Sequence, residues 1–502
     1  MRAAASRICI DIMLFVPEHA RFRPTVAPRF APLPTAPDVI VIGAGAAGIA
    51  SARRLIERGL SVAVLEARDR VGGRAITTRL RGHAVDLGAH WLHAGPINPL
   101  VALGKARGEP LRRAAQQEHL WIGRRPGRPA EEAAFSRAFD VADRTITHAA
   151  ARSEDGPASR ALPRHLGPWG ARIALVHALV SGRPLDEVSL HDWPSLEYGD
   201  NFFVAGGYGA YLARLALGLP IRLGCAVEGL DWSGRGVRAH LVDGGQIAAR
   251  AAIVTVPVPV LREAFRFKPP LPDRAREAIG GFLSGIYEHV VLHWPSAPFR
   301  GRDRLASVVG GHSKPPGMLT RIDGTPFHYF ELDTALTRAL DAVGAGPDGA
   351  RRLARAVLAE HFGRGALADL AIPAVTAWRH DPWSRGSWAV VPPATLRPGR
   401  RSRNRSANGS GLRARPIPVR NGAPRAVPSR RAPRRRPRRR HPRRRGGTAG
   451  SSRERLSAPA TLPSRFPLHP LASPARMREP PVRQARTSAR RTKGRPRAGA
   501  SR

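Results

Sequence analysis

The stretch Asp38-Val-Ile-Val-Ile-Gly43-Ala-Gly45-Ala-Ala-Gly48, continued by Glu66-Ala-Arg68-Asp-Arg70-Val-Gly72-Gly73-Arg74, decides the fold of this 502-residue chain. Val39 to Ile42 is a short apolar, β-branched run, the pattern of a parallel strand buried on both faces. Three glycines come next at G-x-G-x-x-G spacing, and Ala46 to Arg58 reads as a helix with small residues toward the strand. Gly43 permits the tight turn, Gly45 lets the chain approach a pyrophosphate, and Gly48 lets helix and strand pack closely. A second strand, Val62 to Leu65, ends at Glu66, whose carboxylate can accept hydrogen bonds from ribose hydroxyls. The glycine triplet alone also fits an ordinary strand-to-helix turn. Strand, glycines, helix, strand and acid in register predict a dinucleotide site, and at this point nicotinamide and flavin cofactors both remain open.

The residues after Glu66 narrow the choice. Gly72 and Gly73 supply flexible backbone, and Arg68, Arg70 and Arg74 supply cationic donors, immediately after the second strand. Farther on come Asp86-Leu-Gly88-Ala89-His-Trp91 and Asn98-Pro99. These motifs together resemble the flavin-containing amine oxidases, the family of monoamine and polyamine oxidases and their amino-acid-oxidase relatives. The resemblance covers Asp38 to Pro393 and implies FAD. It implies that Glu66 binds the adenosine ribose and that Gly72, Gly73 and Arg74 run along the pyrophosphate and flavin. Arg68, Gly88, Ala89 and Trp91 complete the candidate cofactor contacts of this half.

Residues 100–195 read as mainly helical, including Glu131 to Ala150 and Gly170 to Val180, with a Gly/Arg/Pro-rich gap near Gly123 to Pro129. At Asn201 the chain returns to the flavin side. Gly206-Gly207-Tyr208-Gly209 leads into a helix from Ala210 to Leu217. Ile221 to Leu223, Ala226 to Leu230, Val237 to Val242 and Ala251 to Val256 read as strands, with Asp243-Gly244-Gly245 as a hairpin turn. By the resemblance, Val227 occupies the place of the residue that touches the adenine. Val290 to Leu292 and Phe327 to Glu331 read as strands, and Gly349 to Glu360 as a helix. Trp378, Asp381-Pro382, Gly386, Ser387 and Trp388 resemble the family's Trp…Asp-Pro…Gly-Ser-Tyr segment near the substrate cavity, with Trp388 replacing Tyr. Trp91, Trp378 and Trp388 are the candidate cavity walls, although packing alone would also explain them.

The chain departs from the family in two places. Gly285-Ile-Tyr287-Glu288-His289-Val-Val-Leu292 puts His289 where these oxidases usually carry a lysine that holds a water near flavin N5. His289 is therefore the candidate catalytic residue. A histidine can hold a water, but its ordinary titration lies near neutrality rather than near ~10. A purely structural histidine is the alternative. The second departure begins after Pro393, where the family's Gly-rich Phe-Ala-Gly-Glu segment, strand and final helix do not appear. Residues 397–502 are Arg/Pro/Ser/Ala-rich, with Phe466 their one aromatic. So little apolar area cannot offset ordering entropy, and the segment reads as disordered. A wrong reading frame in GC-rich DNA and a selected tail both remain open, and either leaves the flavin domain short of an expected piece.

Composition bounds the other classes. Residues 401–502 hold 31 Lys+Arg and 2 Asp+Glu, so +29 of the chain's formal +44 lies there and +15 elsewhere. The alternative function is nonspecific binding of nucleic acid or another polyanion by this tail, beside a non-catalytic flavin-fold domain, but no aromatics alternate with its arginines. Two cysteines give neither a disulfide framework nor a thiolate metal cluster, and His83, His90 and His93 lack partners with metal-ligand spacing. No metal is expected. No apolar run reaches the length of a membrane span, and a cytoplasmic protein is expected.

The expected fold is α/β, with two interleaved lobes. A Rossmann-like FAD-binding domain takes residues 38–99 and 201–262. An α+β substrate domain takes 100–200 and 263–375, and 376–396 is an incomplete final FAD/substrate segment. Residues 1–37 form a disordered leader and 397–502 the disordered tail. The expected partners are a small-molecule amine and O2.

Overall fold

The computed structural model of the chain describes residues 30–114, 118–196, 200–310 and 317–393. The expected tail, and most of the expected leader, lie outside the described residues.

Val39–Ile42 and Val62–Leu65 are strands at the predicted positions, and Ala46–Glu57 is the helix between them. They belong to a four-stranded parallel sheet in the order 251–254, 39–42, 62–65, 221–222. Both faces of this sheet are covered, which is why its strands read as unbroken apolar runs. Val41, Val62 and Val64 pack with Ile49 and Ala52 of the helix and with Tyr208, Tyr211 and Leu212 of the helix Tyr208–Ala216. Ile40, Ile42 and Leu65 point the other way, onto Val227, Leu230, Val237 and Leu241. Those last residues lie in a second sheet, ordered 246–249, 237–241, 227–231, 266–268.

The second lobe is built on a seven-stranded sheet in the order 371–375, 288–293, 327–332, 317–320, 304–309, 118–122, 125–126. Here the structure differs from the mainly helical reading of residues 100–195. The helices Pro129–Arg152 and Gly170–Ser181 are present, but Glu118–Ile122 is a strand parallel to Arg304–Val309. The glycine-rich gap is the turn of its hairpin with Arg125–Pro126. Five residues pairing with a segment far along the chain leave too short a periodic signal to show in sequence.

Strand alternation then sorts the side chains of this sheet. Val290, Leu292, Phe330 and Leu332 face the helix Gly346–Phe362. Val291, Phe327 and Tyr329 face Leu80, Val85, Leu87 and Phe203 of the other lobe. His289 and Glu331 share the parity of this second set, and they are direct cross-strand partners. His289 is thereby aimed toward the dinucleotide half. Among the described residues no helix is long and apolar enough to cross a membrane.

Candidate active site

The glycines form a cradle. Gly43 has φ +102°, and a Cβ there would lie 2.7 Å from Thr255 Oγ1. A Cβ on Gly48 would collide with the Gly43 carbonyl oxygen, so the helix packs at backbone distance from the turn. Gly72 and Gly73 have φ of +97° and +61°, and a Cβ on Gly73 would lie 3.3 Å from Gly45 Cα. Two side-chain-free turns therefore face one another. The helix that starts beyond Gly45 has no side-chain cap and no acid in its first turn, so its N–H groups carry uncompensated positive potential.

Glu66 closes one end of this cradle. It is buried, and its Oε2 accepts from Ala44 N at 2.6 Å while Oε1 accepts from Arg68 N at 3.0 Å. Arg70 donates to the Val71 and Gly73 carbonyls, at 3.2 and 2.9 Å. Its Nη2 and Arg68 Nε are buried without a hydrogen-bond partner. Burial and the Arg68 charge lower Arg70 and Arg74 to about 10, which leaves both cationic at neutral pH. Bare glycine backbone, a helix N-terminus, unfilled guanidinium donors and an acid set back from them suit a pyrophosphate flanked by a ribose. The residues present fit FAD.

A turn from the far end of the chain is strapped onto this half. Arg68 Nη2 donates to Asp381 Oδ2 and to Ser384 Oγ, both at 2.7 Å, and Arg74 Nη1 donates to the Ser387 carbonyl at 2.5 Å. Trp378 lies against Gly88, where a Cβ would be 2.9 Å from the indole, and its N–H donates to the Leu87 carbonyl at 2.9 Å. Ala89 N donates to the Arg74 carbonyl at 3.0 Å. Behind the sheet, buried Glu288 accepts from Thr376 Oγ1 at 2.6 Å and from Arg379 N at 3.1 Å, and Thr376 Oγ1 accepts from His289 N at 2.8 Å. Burial raises the Glu288 carboxyl above its ordinary value.

Beyond the strap lies an enclosure of rings. His289 stacks on Tyr329, with centroids 4.6 Å apart and planes 22° apart, and meets His90 at 5.0 Å and Tyr287 at 4.9 Å. His90 Nδ1 lies 3.1 Å from the Gly88 carbonyl, which requires the proton on Nδ1 and leaves Nε2 as an acceptor. That Nε2 and both ring nitrogens of His289 are buried without a hydrogen-bond partner. Burial lowers His90 to about 4 and His289 well below its ordinary value. This corrects the expectation of titration near neutrality: both rings are neutral at pH 7. Tyr287 OH donates to Glu331 Oε1 at 2.7 Å, and Tyr329 OH donates to the Asp86 carbonyl at 2.7 Å. The Asp86 carboxylate accepts from Thr77 Oγ1 and from Tyr208 N and Gly209 N, holding the start of the helix Tyr208–Ala216. Burial raises Asp86 to about 6 against those bonds.

The remaining predicted residues fall around these two centres. Val227 opens its strand two residues after Cys225, whose N–H donates to the Glu66 carbonyl at 2.8 Å. Trp91 packs on Phe203 at 4.4 Å and stacks on His93 at 5.7 Å. Trp388 donates to the Ser181 carbonyl at 3.0 Å, covers Gly182 and stands 5.6 Å from Tyr287. Sequence reasoning missed His90, Tyr287 and Tyr329 as neighbours of His289. It also missed the pairing of Asp381 with Arg68, residues 313 positions apart. Among the described residues no group of three His, Cys, Asp or Glu is arranged to hold a metal ion.

Comparison with known proteins agrees with this geometry. The family model for flavin containing amine oxidoreductase matches residues 118–413, and that for the NAD(P)-binding Rossmann-like domain matches 41–102. Lysine-specific histone demethylase 1B of Mus musculus is 27% identical over 389 residues, covering 70% of this chain and 47% of that protein. Polyamine oxidase 1 of Oryza sativa subsp. japonica is 29% identical over 436 residues, covering 71% of this chain and 83% of that protein. The chain spans about half the length of the demethylases it matches. A redesigned putrescine oxidase shares the fold, with a TM-score of 0.57 and 19% identity over 72% of this chain and 89% of that one.

Proposed function

The chain belongs to the flavin containing amine oxidoreductases, and from that premise we propose that it oxidises an amine at the carbon bearing the nitrogen, using FAD and then O2. The observation that carries this reading is the junction of cradle and ring enclosure. Arg74 ends the second glycine turn, its carbonyl holds Ala89, and His90 comes directly after. A dinucleotide laid along the glycines therefore has its far end at the buried His90–His289 pair, where His90 Nε2 and both His289 ring nitrogens lack hydrogen-bond partners.

FAD supplies the acceptance of a hydride equivalent from the carbon next to a neutral amine. The protein's own groups bind, orient and exclude water. The helix N-terminus, Arg70 and Arg74 offset the pyrophosphate charge, and Glu66 takes the ribose hydroxyls. Trp91, Phe203, Tyr287, Tyr329 and Trp388 provide an apolar surround in which a neutral amine is favoured over an ammonium ion. His289 and His90, neutral at working pH, present one donor and two acceptors that can hold a water or the amine nitrogen and pass a proton between them. The products are the imine, which takes up water to give carbonyl compound and amine, and H2O2 from O2.

The relatives named polyamine oxidase and putrescine oxidase put diamines and polyamines first among substrates, ahead of monoamines and amino acids. The test is to load the purified chain with FAD and add each amine class without oxygen. Loss of visible flavin absorbance, then H2O2 on admitting air, is the expected result. A FAD-loaded protein that no amine class reduces would overturn the proposal.

A further inference from the structure

Glu66 and Asp381 are two buried carboxylates that share one arginine. Arg68 donates its backbone N–H to Glu66 and its guanidinium to Asp381, while its Nη1 stands 3.9 Å from Glu66 Oε1. The arginine and acid side chains are almost fully enclosed, at 9% exposed for Arg68 and 0% for Asp381. Both Asp381 oxygens are engaged, Oδ2 by Arg68 and Oδ1 by Trp383 N at 2.7 Å. With its side chain fully enclosed, Asp381 presents no accessible oxygen to a ligand.

The turn that Asp381 organises reaches the ring enclosure. Asp381 N and Gly386 N both donate to the Trp378 carbonyl, closing the turn. Its far end is stitched to the strand Leu283–Ser284 by Ser387 N to the Gly285 carbonyl and Gly285 N to the Trp388 carbonyl. Trp388 borders Tyr287, which borders His289. One continuous set of bonds therefore runs from the ribose acid to the surroundings of His289.

We propose that Asp381 is a positioning residue with two effects: it draws Arg68 away from Glu66, keeping the Glu66 carboxylate available to a ribose, and it fixes the turn bearing Trp378 and Trp388. The physical reason is competition inside a dry site. An enclosed guanidinium must be paired, and the only other carboxylate within 4 Å of Arg68 among the described residues is Glu66. With Asp381 neutralised, Arg68 closes on Glu66 and occupies the lone pairs that a ribose diol would use. Loss of the turn's anchor also loosens the wall near the amine. The first effect is undone by removing the arginine; the second is not.

This inference rests on the reading of the cradle as a FAD site, and the experiment separates the two. Apoprotein of the parent, Asp381→Asn, Arg68→Met and the double variant would be titrated with FAD, following flavin fluorescence. Amine KM and kcat would then be measured at saturating FAD. The expected result for Asp381→Asn is FAD affinity about 10-fold weaker or worse and a raised KM. In the double variant FAD affinity returns to within about threefold of Arg68→Met alone while KM stays high. Failure of the parent to bind FAD would refute the cradle reading itself. A parent that binds, with Asp381→Asn binding equally well or the double variant no better than Asp381→Asn, would overturn the role given to Asp381. Should Asp381→Asn not fold, Ser384→Ala removes the second partner of the same guanidinium nitrogen. A fall in its FAD affinity that Arg68→Met reverses supports the proposal, and unchanged affinity overturns it.

Discussion

Replacing Glu66 by glutamine keeps the shape of the side chain and removes one charge, so the outcome isolates what the carboxylate does. In the structure its two oxygens face two donors, Ala44 N at 2.6 Å and Arg68 N at 3.0 Å. An amide can satisfy one of them with its oxygen. Its NH2 group must then face the other N–H, or turn toward the place of the ribose. A hydrogen bond to a charged group contributes roughly 1.5–3 kcal/mol, and a neutral one about 1 kcal/mol. Losing the charge on the ribose side and creating one donor–donor conflict should together cost about 2–4 kcal/mol of FAD binding, or roughly 30- to 1,000-fold in Kd. Isothermal titration of the two apoproteins with FAD measures this directly. A Glu66→Gln protein that melts like the parent and binds FAD within about threefold of it would show that Glu66 does not meet the ribose.

Other expectations arise from the buried groups. His289→Phe keeps a ring against Tyr329 but removes both unpartnered nitrogens, and should slow reoxidation of reduced flavin by about 10-fold or more in stopped flow. The parent's reoxidation rate should be flat between pH 6 and pH 9, because His289 and His90 titrate below that window; an inflection near neutrality would contradict the burial of these rings. Asp86→Ala strips an acceptor from Thr77 Oγ1, Tyr208 N and Gly209 N. It should destabilise the fold by about 3 kcal/mol, read from urea midpoints, and a loss under about 1 kcal/mol would refute that accounting. Acid should unfold the protein early. His90, His177, His289 and His328 are buried with lowered values, so the unfolded chain takes up their protons first and stability falls as pH drops from ~6.5 toward ~4. His93 adds to this fall, while Asp86, Asp192 and Glu288, all raised, act with the opposite sign and offset part of it. Stability that rises on acidification through that window would contradict this.

The dinucleotide half was legible because its signals are local. Val39–Ile42, the three glycines and Glu66 each have a conformational or steric job set within a few residues, and the strands and helix stand within a residue of their expected ends. The ring enclosure was legible only in part. Tyr329 fell within an expected strand and His289 one residue before the expected Val290 to Leu292, whereas that strand runs over Glu288–His293; their stacking depends on the antiparallel register that sets His289 opposite Glu331. His90 contributes through its neighbourhood, not through any spacing. The helix Thr334–Ala342 escaped notice although Asp333 caps it at Leu336 N, because the apolar strand before it runs straight into the cap. Asp381 stood out as part of a motif. Arg68 stood out as a cofactor donor, but its pairing with Asp381 did not, since a buried ion pair between the two ends of a domain leaves no periodic trace.

The measurement that reaches the central claim most directly is anaerobic mixing of the FAD-loaded chain with a diamine, a polyamine, a monoamine and an amino acid, following the visible flavin band. The account predicts that at least one amine bleaches the band and that air restores it with release of H2O2. A stoichiometric FAD complex whose spectrum no amine changes would contradict it.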